Sequence, residues 1–551
     1  MTSTNAIKGM TITYFSNCDA ETMPLTMMSY RNLTQNIFMR LLLILLILSS
    51  IVQAQKPNII FIMSDDHDMD AISAYRGSLI KTPHIDRLAR EGLLFKKAFV
   101  GNSICAPVRA TILTGQHSHM NGHIDNRSVF DTAKITLPKL LGKSGYQTAV
   151  IGKWHLRSLP SGFEYWKVLP GQGLYFRPRV INMNYDTVTQ EGYASDVITD
   201  EALQWMDQRK KEKPFFLMLH HKAPHRYFFP PLKYIRAFIS KKIPEPSTLY
   251  LDTTGRGSAW KRQTMSILPD MKLCSDLKVD PAYLAGIPHL APDSADIAYY
   301  HAIFNRIPEG ERKTIKELYK IRGELLQKLK PSGKELLRLK YQWYMQDYLA
   351  CVASVDENIG RVLNYLDKEG LANNTMVVYT SDQGFYLGEN GWFDKRFMYD
   401  QSMQIPLLVR WPGITKPSSA TSALVQNIDF APTFLDAAGV QVPEWMQGIS
   451  LKNVLQNAKA ETGRDELYYR FYEEYADHTV LPHVGIRTKD HKLIYFYTVN
   501  EWELYDLQKD PEELNNLYHK KEHVATAVRL RERLQELKMK YEDREAAGVL
   551  R

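Results

Sequence analysis

Cysteine is scarce in this sequence. Only Cys18, Cys105, Cys274 and Cys351 occur in 551 residues, so disulfides cannot be the main source of stability, and their spacing matches no zinc motif. Long runs of lysine and arginine are also missing, although the formal net charge is +8. A nucleic-acid partner is therefore not expected; the excess charge serves solubility or attracts a polyanionic substrate. No apolar run is long enough for a comfortable membrane span. The strongest, Leu41 to Ile51, falls short of a bilayer's thickness. It follows Met39-Arg40 and leads into Val52-Gln53-Ala54, the pattern of a secretory signal cleaved before Gln55. A secreted or periplasmic protein is expected, with no stable membrane association beyond the signal at about 39–54. Residues 1–38 then form an over-extended start, with an uncleaved anchor as the alternative. Cys18 would leave with that segment, and Cys274 and Cys351 could then pair. There is no internal repeat and no low-complexity tract. The remainder is 44% hydrophobic and 24% charged, an ordinary globular composition with length for two or three domains.

From Lys56 onward strands and helices alternate, which predicts an α/β fold with a large, mostly parallel sheet. Asn58 to Met63 is an unbroken apolar run, as in a strand buried on both faces. Further strands are expected at Gln147 to Gly152, Pro214 to Leu219, Asn373 to Thr380 and Ile405 to Trp411. Thr82-Pro83 opens a helix that Gly92 closes. Others are expected over Ser195 to Arg209, Tyr341 to Glu369 and Asp429 to Ala438. Residues 228–340 break the rhythm: Pro230, Pro231, Pro244 and Pro246 mark a wandering segment, the Lys/Glu-rich part near 312–340 reads as helical, and the whole is expected to be an insertion covering one face. Beyond Pro443, four short alternating segments predict two antiparallel hairpins, followed by a helix at about 521–542. The expected organisation is an extension with signal peptide at 1–54, a catalytic domain at 55–442 containing the insertion, and a C-terminal antiparallel subdomain at 443–551.

Chemistry gathers at strand ends, where open parallel sheets place their sites. Four predicted strands end in Asp65-Asp66, Lys153 with His155, His221 with His225, and Asp382-Gln383. Asp65, Asp66, Asp382 and Gln383 supply only oxygen, a set suited to Ca²⁺, less to Mg²⁺, rather than to zinc. Arg109, Lys153, His155, His225 and Lys395 are cationic or can become so. Clustered, they need an anion between them, and a tetrahedral oxyanion beside the metal is the natural occupant. His220 and His221 are read as structural, because adjacent strand residues face opposite ways. His483, between Pro482 and Val484, is a candidate sugar contact. Cys105 opens a helix, with Pro107 in its first turn, Arg109 one turn on and Gly115 at its end. Helix starts favour anions.

These residues carry a resemblance. Cys105-Ala106-Pro107-Val108-Arg109 with Thr114-Gly115 resembles the type I sulfatase signature, and Gly152-Lys153-Trp154-His155-Leu156 resembles that family's second signature. Asp65-Asp66 after a strand, and Asp382-Gln383-Gly384 followed by Lys395, complete the pattern, from about Lys56 to about Tyr518. The resemblance implies an alkaline-phosphatase-like fold and oxidation of Cys105 to formylglycine (3-oxoalanine) by a formylglycine-generating or anaerobic sulfatase-maturating enzyme. It further implies a hydrated aldehyde at residue 105 that joins Asp65, Asp66, Asp382 and Gln383 on the metal and attacks sulfur. In that scheme Asp382 takes the proton. Arg109, Lys153 and Lys395 stabilise the sulfuryl oxygens. His225, with Lys395, protonates the leaving oxygen, and His155 deprotonates the second hydroxyl to expel sulfate.

Finer matches narrow the branch. Lys222-Ala223-Pro224-His225-Arg226, Gly384-Phe385-Tyr386-Leu387-Gly388-Glu389 and Trp392-Phe393-Asp394-Lys395-Arg396 resemble the N-acetylglucosamine-6-sulfatase and mucin-desulfating branch, which implies a sulfated carbohydrate substrate. The alternatives are a phosphodiesterase or phosphonate-ester hydrolase of the same superfold, or a sulfatase for other polysaccharides. Three positions depart from the pattern: Val108 where serine is usual, Arg157 where glycine is usual, and Gln383 where Asn or His is commoner.

Overall fold

The computed structural model describes residues 56–75, 79–252, 256–474 and 477–546, with Met39. The expected signal segment and Cys18 lie outside the described residues, Met39 apart. Lys56–Arg551 forms one compact unit.

The large sheet has eleven strands: β1 (Asn58–Asp65), β2 (Leu93–Phe99), β3 (Gln147–Lys153), β4 (Tyr165–Leu169), β5 (Arg179–Ile181), β6 (Thr187–Thr189), β7 (Phe215–Pro224), β8 (Thr375–Ser381), β9 (Gln404–Arg410), β10 (Ser419–Thr421) and β11 (Val425–Gln426). Their order is β10-β2-β9-β8-β1-β7-β3-β4-β5-β6, with β11 paired to β2. The centre, from β8 to β4, is parallel. Antiparallel pairs lie outside it, β8 with β9, β9 with β2, and β4 through β6. The expected large sheet, mixed but mostly parallel at its core, is present.

Side chains of β1 alternate between two apolar layers, as strand geometry requires. Ile60 and Ile62 join one layer with the long helix Gly333–Lys368; Ile59, Phe61 and Met63 join the other with the helix Cys105–Thr114. The central strands are therefore covered on both faces, and only their ends reach a cleft. Register brings those ends level. Met63 pairs with His220 on one side and Thr380 on the other, and His220 pairs with Gly152. Gly152 has φ 107°, and a Cβ there would lie 1.9 Å from His220 O, so only glycine permits this approach.

Several boundaries differ from the sequence expectation. β7 continues to Pro224, so His220, His221 and Lys222 are strand residues rather than a tail after it. The long helix starts at Gly333, not Tyr341. Within residues 228–340 the helix expected near 312–340 is present as Glu309–Leu329, but the proline-marked part does not wander. Residues 228–340 form Leu232–Phe238, Ser258–Arg262, Ile267–Asp270, Ser294–Phe304 and Glu309–Leu329, and bury Ile235, Ile267, Tyr300 and Ile315 against the same layer as the long helix. Cys274 and Cys351 are free and buried, so the possible pairing is not made.

A second sheet, β12 (Glu466–Phe471), β13 (His483–Thr488), β14 (His491–Phe496) and β15 (Glu501–Asp506), is wholly antiparallel. The helix Val524–Lys540 buries Leu530, Leu534 and Leu537 against Val484, Ile486 and Leu493. This is the expected C-terminal pair of hairpins with its helix. No helix among the described residues is long and apolar enough to cross a membrane.

Candidate active site

The strand ends and one helix start bring the expected residues into a single buried cluster. Cys105 is the first residue of its helix, after an extended Ile104. Ala106 N–H donates to Asn126 Oδ1 at 3.1 Å, which satisfies one donor left unpaired at a helix start. Gly115 closes the helix in a left-handed conformation, φ 65°. Val108 is buried in the apolar layer, which accounts for an aliphatic residue there.

Arg109 is buried and binds two elements at once. Its Nη1 donates to Lys153 O at 2.7 Å and its Nη2 to Asp382 Oδ2 at 2.8 Å. Lys153 Nζ donates to Asp65 Oδ2, and Asp65 Oδ1 lies 3.8 Å from Arg109 Nη2. Lys395 Nζ donates to both Asp66 oxygens, at 2.7 and 2.8 Å. Asp66, at φ 66°, donates its N–H to Asp382 Oδ1 at 3.1 Å. Gln383 Nε2 donates to Asp66 Oδ1 and lies 3.7 Å from Cys105 Sγ. His225 is half-buried, with Nε2 3.7 Å from Asp66 Oδ2 and Nδ1–H donating to Arg226 O at 2.6 Å. His155, at φ 58°, keeps a buried Nδ1 with no partner.

Burial sets the electrostatics, and neighbours decide its outcome. Burial alone raises Asp65, but Lys153, His225 and Arg109 outweigh it and hold the carboxyl well below the usual range. Asp66 is raised to about 6 by burial, with Lys395 opposing, and Asp382 to about 7 by burial and the Asp65 charge. Burial pushes the Cys105 thiol up to about 12 against the pull of Lys153 and Lys395, so at neutral pH it is not a thiolate nucleophile. Burial lowers His155 and His225 well below the ordinary histidine value. Lys395 is held well above its ordinary value, because Asp66 and Cys105 outweigh the burial that alone would lower it.

Oxygen donors suited to a hard cation are at hand. One carboxylate oxygen each from Asp65, Asp66 and Asp382 lie within 4.8 Å of one another. Asp65 Oδ1 and Gln383 Oε1 are buried without a hydrogen-bond partner, as acceptors awaiting a cation would be. Cys105 Sγ, an Asp65 oxygen and a His225 nitrogen also fall within 4.8 Å.

His220 and His221 are buried, as a structural role requires. His220 Nδ1–H donates to Lys153 O at 3.1 Å, so it props the strand end. His483 is not a sugar contact. It is fully buried among Tyr469, Phe471 and Phe496, with Nε2 accepting from Met398 N at 3.1 Å and Nδ1–H donating to Leu481 O at 2.8 Å.

Other contributors were given no individual role in the sequence reading. Tyr348 OH donates to Asp66 O at 2.7 Å and accepts from Asp68 N at 2.9 Å. Tyr469 OH accepts from Ser103 N at 3.1 Å and donates to Arg396 O at 2.6 Å. Asp394 lies 3.2 Å from His478, and Arg396 lies 3.0 Å from Glu473. Nothing marks the two tyrosines among 31; Asp394 and Arg396 flank Lys395, and that adjacency was the available signal.

The chain is similar to several known proteins. Residues 57–440 match the family described as Sulfatase, and residues 388–540 match N-sulphoglucosamine sulphohydrolase, C-terminal. The chain is 46% identical over 497 residues to an N-acetylglucosamine-6-O-sulfatase of Bacteroides thetaiotaomicron, covering 89% of this chain and 88% of that protein. It is 26% identical over 452 residues to the human N-acetylglucosamine-6-sulfatase, covering 76% and 68%. A protein solved in complex with its substrate D-glucosamine-2-N,6-O-disulfate superposes with a TM-score of 0.85 at 45% identity, covering 89% of this chain and 99% of that one. A phosphonate monoester hydrolase of Agrobacterium radiobacter shares the fold, with a TM-score of 0.63 at 20% identity, covering 88% and 96%.

Proposed function

The chain belongs to the sulfatase family, and on that premise we propose that it hydrolyses the 6-O-sulfate ester of N-acetylglucosamine or N-sulfated glucosamine in sulfated glycans. The observation that carries this reading is the surround of Cys105. It opens a helix beside the buried ion pairs Arg109–Asp382, Lys153–Asp65 and Lys395–Asp66. That arrangement suits a tetrahedral oxyanion held beside an oxygen-ligated cation. The substrates named for the two relatives near 45% identity support the choice of sugar.

Residue 105 is read as the precursor of the nucleophile. Its thiol stays protonated at neutral pH, and a thiol has no second hydroxyl with which to expel sulfate. Oxidation by a maturating enzyme yields formylglycine, whose hydrate carries two. Asp65, Asp66, Asp382 and Gln383 would hold a divalent cation, Ca²⁺ before Mg²⁺. When bound, that ion supplies Lewis-acid charge to the ester oxygens.

The chain's own groups divide the remaining work. Asp382, raised to about 7, accepts a proton from the attacking oxygen of residue 105. Arg109, Lys153 and Lys395, all buried, take up charge on the sulfuryl oxygens. Lys395, kept protonated by Asp66, supplies, together with His225, the proton that reaches the leaving sugar oxygen. His155 removes the proton from the second hydroxyl, so that sulfate departs and the aldehyde returns. Export through residues 39–54 fits a glycan substrate outside the cytoplasm.

The test is initial rates of sulfate release from N-acetylglucosamine carrying sulfate at O3, O4 or O6, beside aryl phosphate and phosphonate esters. The 6-sulfate is expected to be the preferred substrate by at least tenfold. Faster turnover of a phosphate or phosphonate ester would overturn the reading.

A further inference from the structure

Beside His155 lies a cavity of about 470 Å³, within the size range of small-molecule sites, roughly 300–1,000 Å³. Its walls come from the loop after β3 and from the turn after β4, with Asn126 and Ile181 completing them. Its wall carries the polar residues His155, Arg157, Ser158 and Gln172, the kind of lining that takes a polar ligand. Asn126 links this cavity to the reaction centre, because its Oδ1 accepts from Ala106 N–H at the start of the Cys105 helix. Leu159 and Ile181 add apolar wall, the combination that grips a sugar ring by its faces and edges.

Arg157 also lines the cavity, and its backbone is strained. It sits at φ 56°, a left-handed conformation that glycine adopts freely. A long cationic side chain is nevertheless kept there. It is exposed, and it has no ion pair or hydrogen bond among the described residues. Strain of this kind clusters where ligands are clamped. A guanidinium with five unused donors is matched to a carboxylate or sulfate.

We propose that this cavity is a saccharide subsite in which Arg157 pairs with an anionic group of the glycan other than the sulfate being cleaved. The inference rests on the sulfated-glycan reading above. The anionic group has two possible sources, a second sulfate on the same sugar or the carboxylate of a neighbouring uronate.

Three ligands separate the cases: N-acetylglucosamine-6-sulfate, glucosamine-2-N,6-O-disulfate, and a disaccharide joining a uronate to the 6-sulfated sugar. For each, kcat/KM and the Kd on a Cys105→Ala background are measured with Arg157 and with Arg157→Ala. Alanine keeps a Cβ at the same strained position, so backbone relief does not confuse the comparison. Arg157→Ala is expected to reduce the preference for one doubly charged ligand over the singly sulfated one by at least fivefold, in both measurements. Which ligand responds identifies the source of the charge, and Arg157→Lys should recover part of the loss. A preference unchanged within twofold for both ligands would overturn the subsite. Failure of the wild type to turn over any of the three would overturn the substrate reading instead, and the Kd ratios would still decide the subsite.

Discussion

Replacing Arg109 by methionine removes the guanidinium from the centre of the cluster and leaves an unbranched side chain in its place. The wild-type group makes two hydrogen bonds out of water, to Asp382 Oδ2 at 2.8 Å and Lys153 O at 2.7 Å. Hydrogen bonds to charged groups contribute about 1.5–3 kcal/mol each. After Arg109→Met, Asp382 stays buried beside Asp65 with one cation fewer, and breaking a buried pair from one side costs roughly 3–5 kcal/mol. At roughly 2.1 cal/mol/K per residue, the unit Lys56–Arg551 unfolds with an entropy of about 1 kcal/mol/K. The expected drop in Tm is therefore about 3–5 °C, read by calorimetry after dialysis against a chelator so that both proteins share one ligand state. Loss of a donor to the developing oxyanion should also lower kcat by about 10²–10³. A variant that melts and turns over like the wild type would refute the placement of Arg109 at the centre of the charge network.

Other perturbations test separate parts of the account. Asp66→Ala should weaken Ca²⁺ binding at least tenfold by titration calorimetry, and unchanged affinity would remove Asp66 from the cation site. Tyr469→Phe leaves Ser103 N–H and Arg396 O without their shared partner; each unsatisfied group costs about 1–3 kcal/mol. A Tm lowered by about 2–6 °C is expected, and no change would mean that the hydroxyl holds nothing in place. Asp356 accepts from His84 N and Ile85 N, yet burial keeps its carboxyl raised, to about 7. Between its unfolded value, roughly 3.9, and that point, the folded state holds a proton the unfolded state has lost. This contribution is therefore present at low pH and fades as pH rises towards 7. Asp356→Asn should flatten the decline in Tm from pH 4.5 to 7, and a decline as steep as the wild type's would count against it.

The parts of the site legible in the sequence were those fixed by local chemistry. Pro107 and Gly115 bracket a helix by backbone rules alone, and the structure runs it from Cys105 to Thr114. Asp65, Lys153 and Asp382 were readable because a parallel sheet delivers its strand ends to one edge. What was missed depends on partners distant in sequence. β2 carries Lys96 and Lys97 amid its apolar residues, and it is a strand because β9 pairs with it antiparallel. The prolines of residues 228–340 suggested loose chain, whereas the helices between them earn their order from the apolar layer they cover. His483 follows a proline and looked like a loop residue; it opens β13 and is enclosed by aromatic rings from β12 and β14. Val108 broke the pattern of the Cys105 stretch until its contact with the apolar layer was visible.

The central claim is that residue 105, once oxidised, is the nucleophile in sulfate-ester hydrolysis. It is tested most directly by sulfate release from N-acetylglucosamine-6-sulfate, using wild type and Cys105→Ser produced with a maturating enzyme that oxidises only cysteine. The peptide spanning residue 105 is weighed in the same preparations. The account predicts the aldehyde mass and turnover in the wild type, with folded but inactive Cys105→Ser. Wild-type rates from the serine variant, or from protein whose residue 105 is still a thiol, would contradict it.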